Sequence, residues 1–346
     1  MKLPTLPYLD PARKPGIQAH LDDLTKPQGS LGRLEALALQ MAWISGQNRP
    51  ADPEAFILTF AGDHGIARLG VSAFPPEVTP QMVANIAAGG AAISVLCRTL
   101  RIQHRVIDVG VAVPCAFPGV GQRNVMRGTG DPSTGTAMTR AQAEASLQAG
   151  MDEVAQLPEL PFALLGLGEM GIANSAIAAL LVSGLAGIDP GQAVGPGTGI
   201  KGQALAHKLE VIRMILDRQK LDPGDPVGVL ASVGGCEFGA MAGAMLAGAA
   251  RGWAVLVDGY IAGAAALVAL ALDPRIKDFL VWSHRSAEPG AKRLLEVLGL
   301  EPVLDLNLRL GEGTGAALAV PILRSACAVM REMATFSGAG VSKGDN

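Results

Sequence analysis

Six short apolar runs, each closed by small or polar residues and separated by longer helical stretches, constrain this chain more than any other feature. They are 56–61 ending at Asp63-His64-Gly65, 105–107 at Asp108, 162–165 at Gly166, 227–231 at Ser232, 254–257 at Asp258, and 279–282 at Ser283. A continuous apolar run of this length suits a strand buried on both faces, and alternation with helices makes βα units. The expectation is an α/β fold, a mostly parallel sheet with helices on both faces. The polar endings then share one edge, at the carboxyl ends of the strands, where open parallel sheets bind ligands.

The chain ends read differently. Over 15–46 the apolar residues Ile17, Leu21 and Leu24, then Leu31, Leu34, Leu37, Met41 and Ile44, recur three or four apart, interrupted by Lys26-Pro27-Gln28-Gly29-Ser30; that is two helices and a sharp turn. From Gly313 a helix rich in Ala, Leu and Met is expected to break or kink at Pro321. The two ends are expected to form a small, mainly helical domain, 1–44 with 305–346, beside a large α/β domain over 45–304. The tail 337–346 reads as frayed and polar.

With 28 basic and 31 acidic residues among 346, the net charge of −3 offers no attraction to nucleic acid or an anionic membrane. The charge-free stretch 170–188 is long enough for a bilayer but diluted by Gly, Ala, Asn and Ser, as in helices packed on a sheet. Cys97, Cys115, Cys236 and Cys327 lie too far apart for zinc-ligand spacing and suit a reducing cytosol. Pro4, Pro7, Asp10 and Pro11 interrupt the start where an export signal needs apolar residues. A cytoplasmic protein without nucleic-acid or membrane partners is therefore expected.

Three glycine-rich segments could carry chemistry. Gly166-Leu167-Gly168-Glu169-Met170-Gly171 has the GxGxxG form of a dinucleotide-binding turn. Glu169 would repel phosphate there, and Asp189, at roughly the spacing for a ribose contact, sits in a turn. Gly195-Pro196-Gly197-Thr198-Gly199-Ile200, with Lys201 and Lys208 following, suits a monophosphate but lacks the Gly-Lys-Ser/Thr ending of a P-loop. Arg309-Leu310-Gly311-Glu312-Gly313-Thr314-Gly315 again places a carboxylate between glycines. Two glycine-flanked glutamates, Glu169 and Glu312, point to acid/base work on a small ligand. Ser286 either caps the helix around 292–298, with Pro289 in its first turn, or helps Arg285 hold a phosphate at that helix's N-terminus. Asp63 and His64 read as a hydrogen-bonded pair organising a strand end, with metal ligation the alternative.

Together, Lys26 to Glu35, Ala61-Gly62-Asp63-His64-Gly65, Glu77-Val78-Thr79, Gly166 to Gly171, Val233-Gly234-Gly235, Ser283 to Glu288 and Arg309 to Ala317 resemble nicotinate-nucleotide–dimethylbenzimidazole phosphoribosyltransferases over 24–330. The resemblance implies a Rossmann-like domain, a small domain from both chain ends, and a homodimer without cofactor or metal. It also implies transfer of phosphoribose from nicotinate mononucleotide to 5,6-dimethylbenzimidazole, for the lower ligand of cobalamin. By the same resemblance Glu312 is the general base and Glu169 a second carboxylate of the site. Phosphate and ribose contacts fall on Gly171, Lys208, Ser286, Arg309 and Gly311, with Gly197, Thr198 and Gly199 close by. Leu310, Met170, Phe74 and Met82 fall in the substrate pocket, where Phe74 departs from a serine of some relatives, and a nearby glutamine is displaced to Gln81 or replaced by Met82. Loss of nicotinate rather than pyrophosphate calls for no Mg²⁺, and Val255-Leu256-Val257-Asp258-Gly259 lacks the adjacent acids usual in users of phosphoribosyl pyrophosphate. The alternatives are an NAD-dependent oxidoreductase and a nucleotide- or corrinoid-precursor-binding module without turnover.

Overall fold

The computed structural model describes residues 1–342. Its six strands are β1 (Glu54–Gly62), β2 (Gln103–Gly110), β3 (Val120–Gln122), β4 (Ala163–Met170), β5 (Ala254–Val257) and β6 (Leu280–Trp282). They form one parallel sheet in the order β3-β2-β1-β4-β5-β6. That is the Rossmann order, whose direction reverses between β1 and β4 and leaves a crevice at their carboxyl ends. Both faces are covered. Leu165 faces the helix Cys236–Ala250, while Gly166, one residue on, faces Ala316 of the helix Thr314–Glu332. Alternate strand residues point to opposite faces, so these two helices lie on opposite sides.

Two strand expectations need correction. The run 227–231 is not a strand but lies in the helix Pro226–Val233, where Asp225 caps the amide of Gly228 and Pro226 occupies the first turn. A short buried run has the same apolar pattern in either state, and the Asp-Pro start decides it. The sixth strand is instead β3, three residues at the sheet edge that are too short to show a periodicity.

A second correction concerns the GxGxxG segment, most of which is β4 itself rather than a turn. Gly166 pairs with Ile57 and Gly168 with Thr59. A Cβ on Gly166 would collide with the Ile57 side chain and come within 3.0 Å of Ala316 Cβ, and one on Gly168 would collide with the Glu312 carbonyl. These glycines seat the start of the helix Thr314–Glu332 on the sheet. The feature that favoured a dinucleotide site thus has a packing cause.

The N-terminal helices are Lys14–Asp23 and Arg33–Ser45. Lys26 and Glu35 close the turn between them with a buried 2.8 Å ion pair, and Glu35 also accepts from the Leu31 amide. The two chain ends touch: Thr25 N donates to Ala334 O at 2.9 Å, and His20 Nε2 lies 2.9 Å from Met330 O. The helix Thr314–Glu332 continues through Pro321 without breaking. The tail is less frayed than its composition implies, because Thr335 caps a short helix, Phe336–Ala339, and Ser337 Oγ donates to Asp23. Residues 343–346, part of that expectation, lie outside the described residues. Most of 170–188 is the helix Asn174–Ala186, buried in the core. Val78–Leu100 is long and apolar enough to cross a membrane by length and composition, but divides into two helices, Val78–Ala87 and Ala92–Leu100.

Candidate active site

At the carboxyl edge of the sheet lies a cavity of about 440 Å³. Of the residues singled out from sequence, Glu312, Glu169, Gly171, Gly197, Thr198, Ser286, Arg309, Leu310, Gly311, Phe74, Met82 and Met170 line it. Gly199 and Lys208 do not.

One end is acidic. Gly311, Glu312 and Gly313 have φ of 89°, 63° and 95°, a left-handed run that costs a non-glycine residue about 1–2 kcal/mol. Glycines on both sides confine that cost to Glu312. Its carbonyl accepts from Thr59 Oγ1 at 2.8 Å, and its carboxylate accepts from the Ile93 amide at 3.3 Å, in the first turn of the helix Ala92–Leu100. Burial raises the Glu312 pKa and nearby Asp258 adds to it, against the pull of that amide. Glu169, at the end of β4, accepts from Asn174 Nδ2. Its pKa is pushed up to about 8 by burial first, then by the charges of Asp258, Glu237 and Glu312, with Asn174 opposing. The missing side chain of Gly311 lets Glu169 Oε1 reach this loop.

Two further groups in the wall escaped the motif analysis. Asp258, at the end of β5, accepts from Ala316 N at 2.9 Å and lies 3.9 Å from His284 Nε2. Burial raises its pKa, with His284 and the amides of Ala316, Gly315 and Gly313 pulling it back. The signal was present, since Asp258 closes one of the recognised apolar runs just before a glycine. His284 fits because Gly315 has no Cβ to strike its ring.

The other end carries positive charge. Lys208 is fully buried beneath the 195–199 loop, donating to Ser175 Oγ at 2.8 Å and Gly195 O at 3.0 Å. Burial lowers its pKa to about 8, against the opposing charge of Glu288. Gly197 and Ser175 both line the cavity and both adjoin the ammonium, a Cβ on Gly197 falling 3.3 Å from Nζ. Arg309 Nη1 donates to Gly197 O at 3.4 Å. Thr198 Oγ1 accepts from Ala73 N at 2.9 Å and so ties the loop to the segment bearing Phe74. Phe74 and Leu310, 51% and 57% exposed, stand with Met82 and Met170 as an apolar wall. Glu288 also lines this end of the cavity; burial raises its pKa, while the Gly197 amide, Lys208 and Arg309 draw it down.

Two expectations at strand ends are corrected. Ser286 is not the cap: Glu288 holds that position before the helix Pro289–Leu298, and Ser286 Oγ accepts from the Glu288 amide at 3.3 Å. Asp63 and His64 do not bond each other. Asp63 accepts from Ala112 N, and His64 Nε2 faces Glu237 Oε1 at 2.6 Å, both side chains buried. Burial alone would lower His64, but Glu237 and then Asp63 outweigh it and raise its pKa. Among the described residues no group of three or more His, Cys, Asp or Glu is placed to hold a metal ion.

Fold and cavity define a Rossmann-like α/β protein with a small-ligand site at the switch point of its sheet. Residues 6–341 match a family model described as a phosphoribosyltransferase. The chain belongs to the family of nicotinate-nucleotide–dimethylbenzimidazole phosphoribosyltransferases. Its relative of that name from Cupriavidus taiwanensis is 49% identical over 343 residues, 99% of each chain. The one from Geobacter sulfurreducens is 46% identical, over 95% of this chain and 94% of the other. A solved structure of the enzyme of that name from Thermus thermophilus is 41% identical and superposes with a TM-score of 0.90, over 97% of this chain and all of the other.

Proposed function

We propose that this chain transfers the phosphoribosyl group of nicotinate mononucleotide to 5,6-dimethylbenzimidazole. The products are nicotinate and α-ribazole 5′-phosphate, with inversion at C1′. In the donor the pyridine nitrogen is quaternary, so breaking its bond to C1′ releases a neutral ring nitrogen and needs no acid. The demand falls on the acceptor. As one benzimidazole nitrogen attacks C1′, positive charge spreads to the other N–H, and a carboxylate within reach stabilises that charge and then takes the proton. A single in-line displacement converts the β-nucleotide to the α product.

The observation carrying this reading is the buried Glu312 carboxylate in the cavity wall, its pKa raised by burial. A carboxylate made more basic by its surroundings is a better proton acceptor near neutral pH. Glu169, whose pKa of about 8 keeps it largely protonated near neutral pH, and Asp258 are further carboxyl groups in the same wall. The 195–199 loop, with Lys208 beneath it and Arg309 beside it, takes the phosphate, and Ser286, Gly171 and Gly311 border the ribose. The apolar wall of Phe74, Met82, Met170 and Leu310 suits a flat heterocycle.

The same reading makes the enzyme a cytoplasmic homodimer without cofactor. It divides the chain into a domain over 45–304 and a smaller one from 1–44 and 305–346, supported by the bonds joining residues 20–25 to 330–334. Mass spectrometry after incubation with nicotinate mononucleotide and a panel of free bases tests the activity. Nicotinate and a ribosylated base should form together, with dimethylbenzimidazole among the bases accepted. Binding of both substrates without nicotinate release would overturn it in favour of a non-catalytic module.

A further inference from the structure

We propose that Thr59, with His104 behind it, is a positioning residue for Glu312, holding the left-handed Gly-Glu-Gly loop from inside the sheet so that the carboxylate meets the acceptor N–H. This rests on Glu312 being the base. Thr59 is fully buried in the middle of β1, a position where a β-branched apolar residue would pack as well. Its hydroxyl has one proton, and that proton goes to the Glu312 carbonyl at 2.8 Å. The same oxygen lies 3.0 Å from His104 Nε2. With the hydroxyl proton committed, Oγ1 accepts, so His104 carries its proton on Nε2 and donates. Burial holds the His104 pKa down at about 4, which keeps the ring neutral and able to play that part. The bonds form a directed series from imidazole to hydroxyl to the Glu312 peptide.

The neighbouring strand completes the cradle. Gly168 is the ladder partner of Thr59, and a Cβ on it would occupy the place of the Glu312 carbonyl. One strand supplies the donor and the next supplies the space. A strained conformation persists where its surroundings over-determine it, and here they act on the residue that needs a fixed side-chain direction. Without the hydroxyl, the peptide loses its anchor and the carboxylate drifts.

Thr59→Val keeps the shape and removes the donor. Expected is a kcat lower by roughly 10- to 100-fold, with KM for nicotinate mononucleotide within about twofold of wild type, since small misplacement of a reacting group costs this much. Thr59→Ser should restore most of the loss. In a Glu312→Gln background Thr59→Val should cost nothing further, because both changes remove one function. Wild-type kcat in Thr59→Val, no recovery in Thr59→Ser, or an equal loss in the Glu312→Gln background would overturn the assignment. If Thr59→Val does not accumulate folded, His104→Phe replaces it. His104 borders a second cavity of about 310 Å³, which leaves room for the ring. Expected there is a kcat loss of roughly three- to tenfold at unchanged KM, and wild-type kcat would reject the proposal. Glu312→Gln alone separates the two ideas: full activity in it removes the base assignment itself, whereas an inactive Glu312→Gln beside a fully active Thr59→Val removes only the role of Thr59.

Discussion

The two ends of the cavity are built from different materials. The acidic end stands on strand ends, Glu169 on β4 and Asp258 just after β5, with Glu312 clamped by Thr59 and Ile93. The other end is a glycine loop laid over one buried lysine and tied by Arg309 and Thr198. Both ends are electrostatically costly. Burial raises the carboxylates and lowers the lysine, each toward its neutral form. The phosphate of nicotinate mononucleotide relieves the cost at the lysine, and the positive charge that develops on the attacking benzimidazole relieves the cost of a charged Glu312 beside it. The rigid end then serves the reacting atoms, where small errors of position are expensive, and the loop serves the binding of a symmetric anion, which tolerates them.

If that division is correct, changes at the two ends separate in kinetics. Glu312→Gln should have the largest effect, lowering kcat by roughly 10²- to 10⁴-fold as expected for a lost general base, while the affinity for nicotinate mononucleotide stays near wild type. Isothermal titration beside single-turnover rates checks it, and wild-type turnover would refute the assignment. Lys208→Met should do the reverse, weakening nucleotide binding by roughly 10- to 100-fold, the value of a hydrogen bond to a charged group, with a smaller change in kcat. An unchanged Kd would remove the lysine from phosphate binding.

The glycines sharpen the contrast. Gly168→Ala drives a Cβ into the Glu312 carbonyl, backbone that cannot yield cheaply. It should destabilise by about 1–3 kcal/mol in urea unfolding, as overpacking does, and lower kcat as well. Gly199 has open space around it but φ of +104°, so Gly199→Ala should cost about 1–3 kcal/mol through backbone strain and affect Kd rather than kcat. Equal effects of the two substitutions on kcat would erase the distinction between the ends.

Much of this was legible in advance, for physical reasons. Glu312 stands out because glycines on both sides of a carboxylate are costly unless the backbone must turn left-handed there, as it does. The apolar runs at 56–61, 254–257 and 279–282 betray buried strands because a parallel strand is apolar on both faces. The run 227–231 misleads because a helix buried all round has the same local pattern. Lys208 is visible only as a charge near a glycine loop; its depth beneath that loop depends on Ser175, Gly195 and Glu288 from three other segments. Asp258 with His284, and His64 with Glu237 from the first turn of a helix, acquire meaning only when segments distant in sequence meet, and spacing along one chain carries no record of that.

A further expected effect is on the pH dependence of stability, and its two parts have opposite sign. Glu169 titrates at about 8 in the folded protein, against ~4.3 in an unfolded chain. Between those values the folded state holds the extra proton, so stability falls as pH rises, by at most about 1.4 kcal/mol per unit for one proton. Lys208 titrates at about 8 when folded, against ~10.4 unfolded. From about 8 upward the unfolded chain holds that proton, so Lys208 adds stability as pH rises, against the larger loss from the four cysteines, whose thiols burial holds above their ordinary value. Urea midpoints from pH 5 to pH 10 should therefore decline along two limbs, one up to about pH 8 and one above it, and the two groups are read from the slopes of variant against wild type. Glu169→Gln should make the lower limb shallower and Lys208→Met should make the upper limb steeper, each leaving the other in place. Nicotinate mononucleotide should act on the upper limb as Lys208→Met does, because its phosphate favours the charged lysine. A profile in which both limbs respond to a single substitution would mean that the two ends titrate as one cluster, and the division between the reacting end and the anchoring end would have to be abandoned.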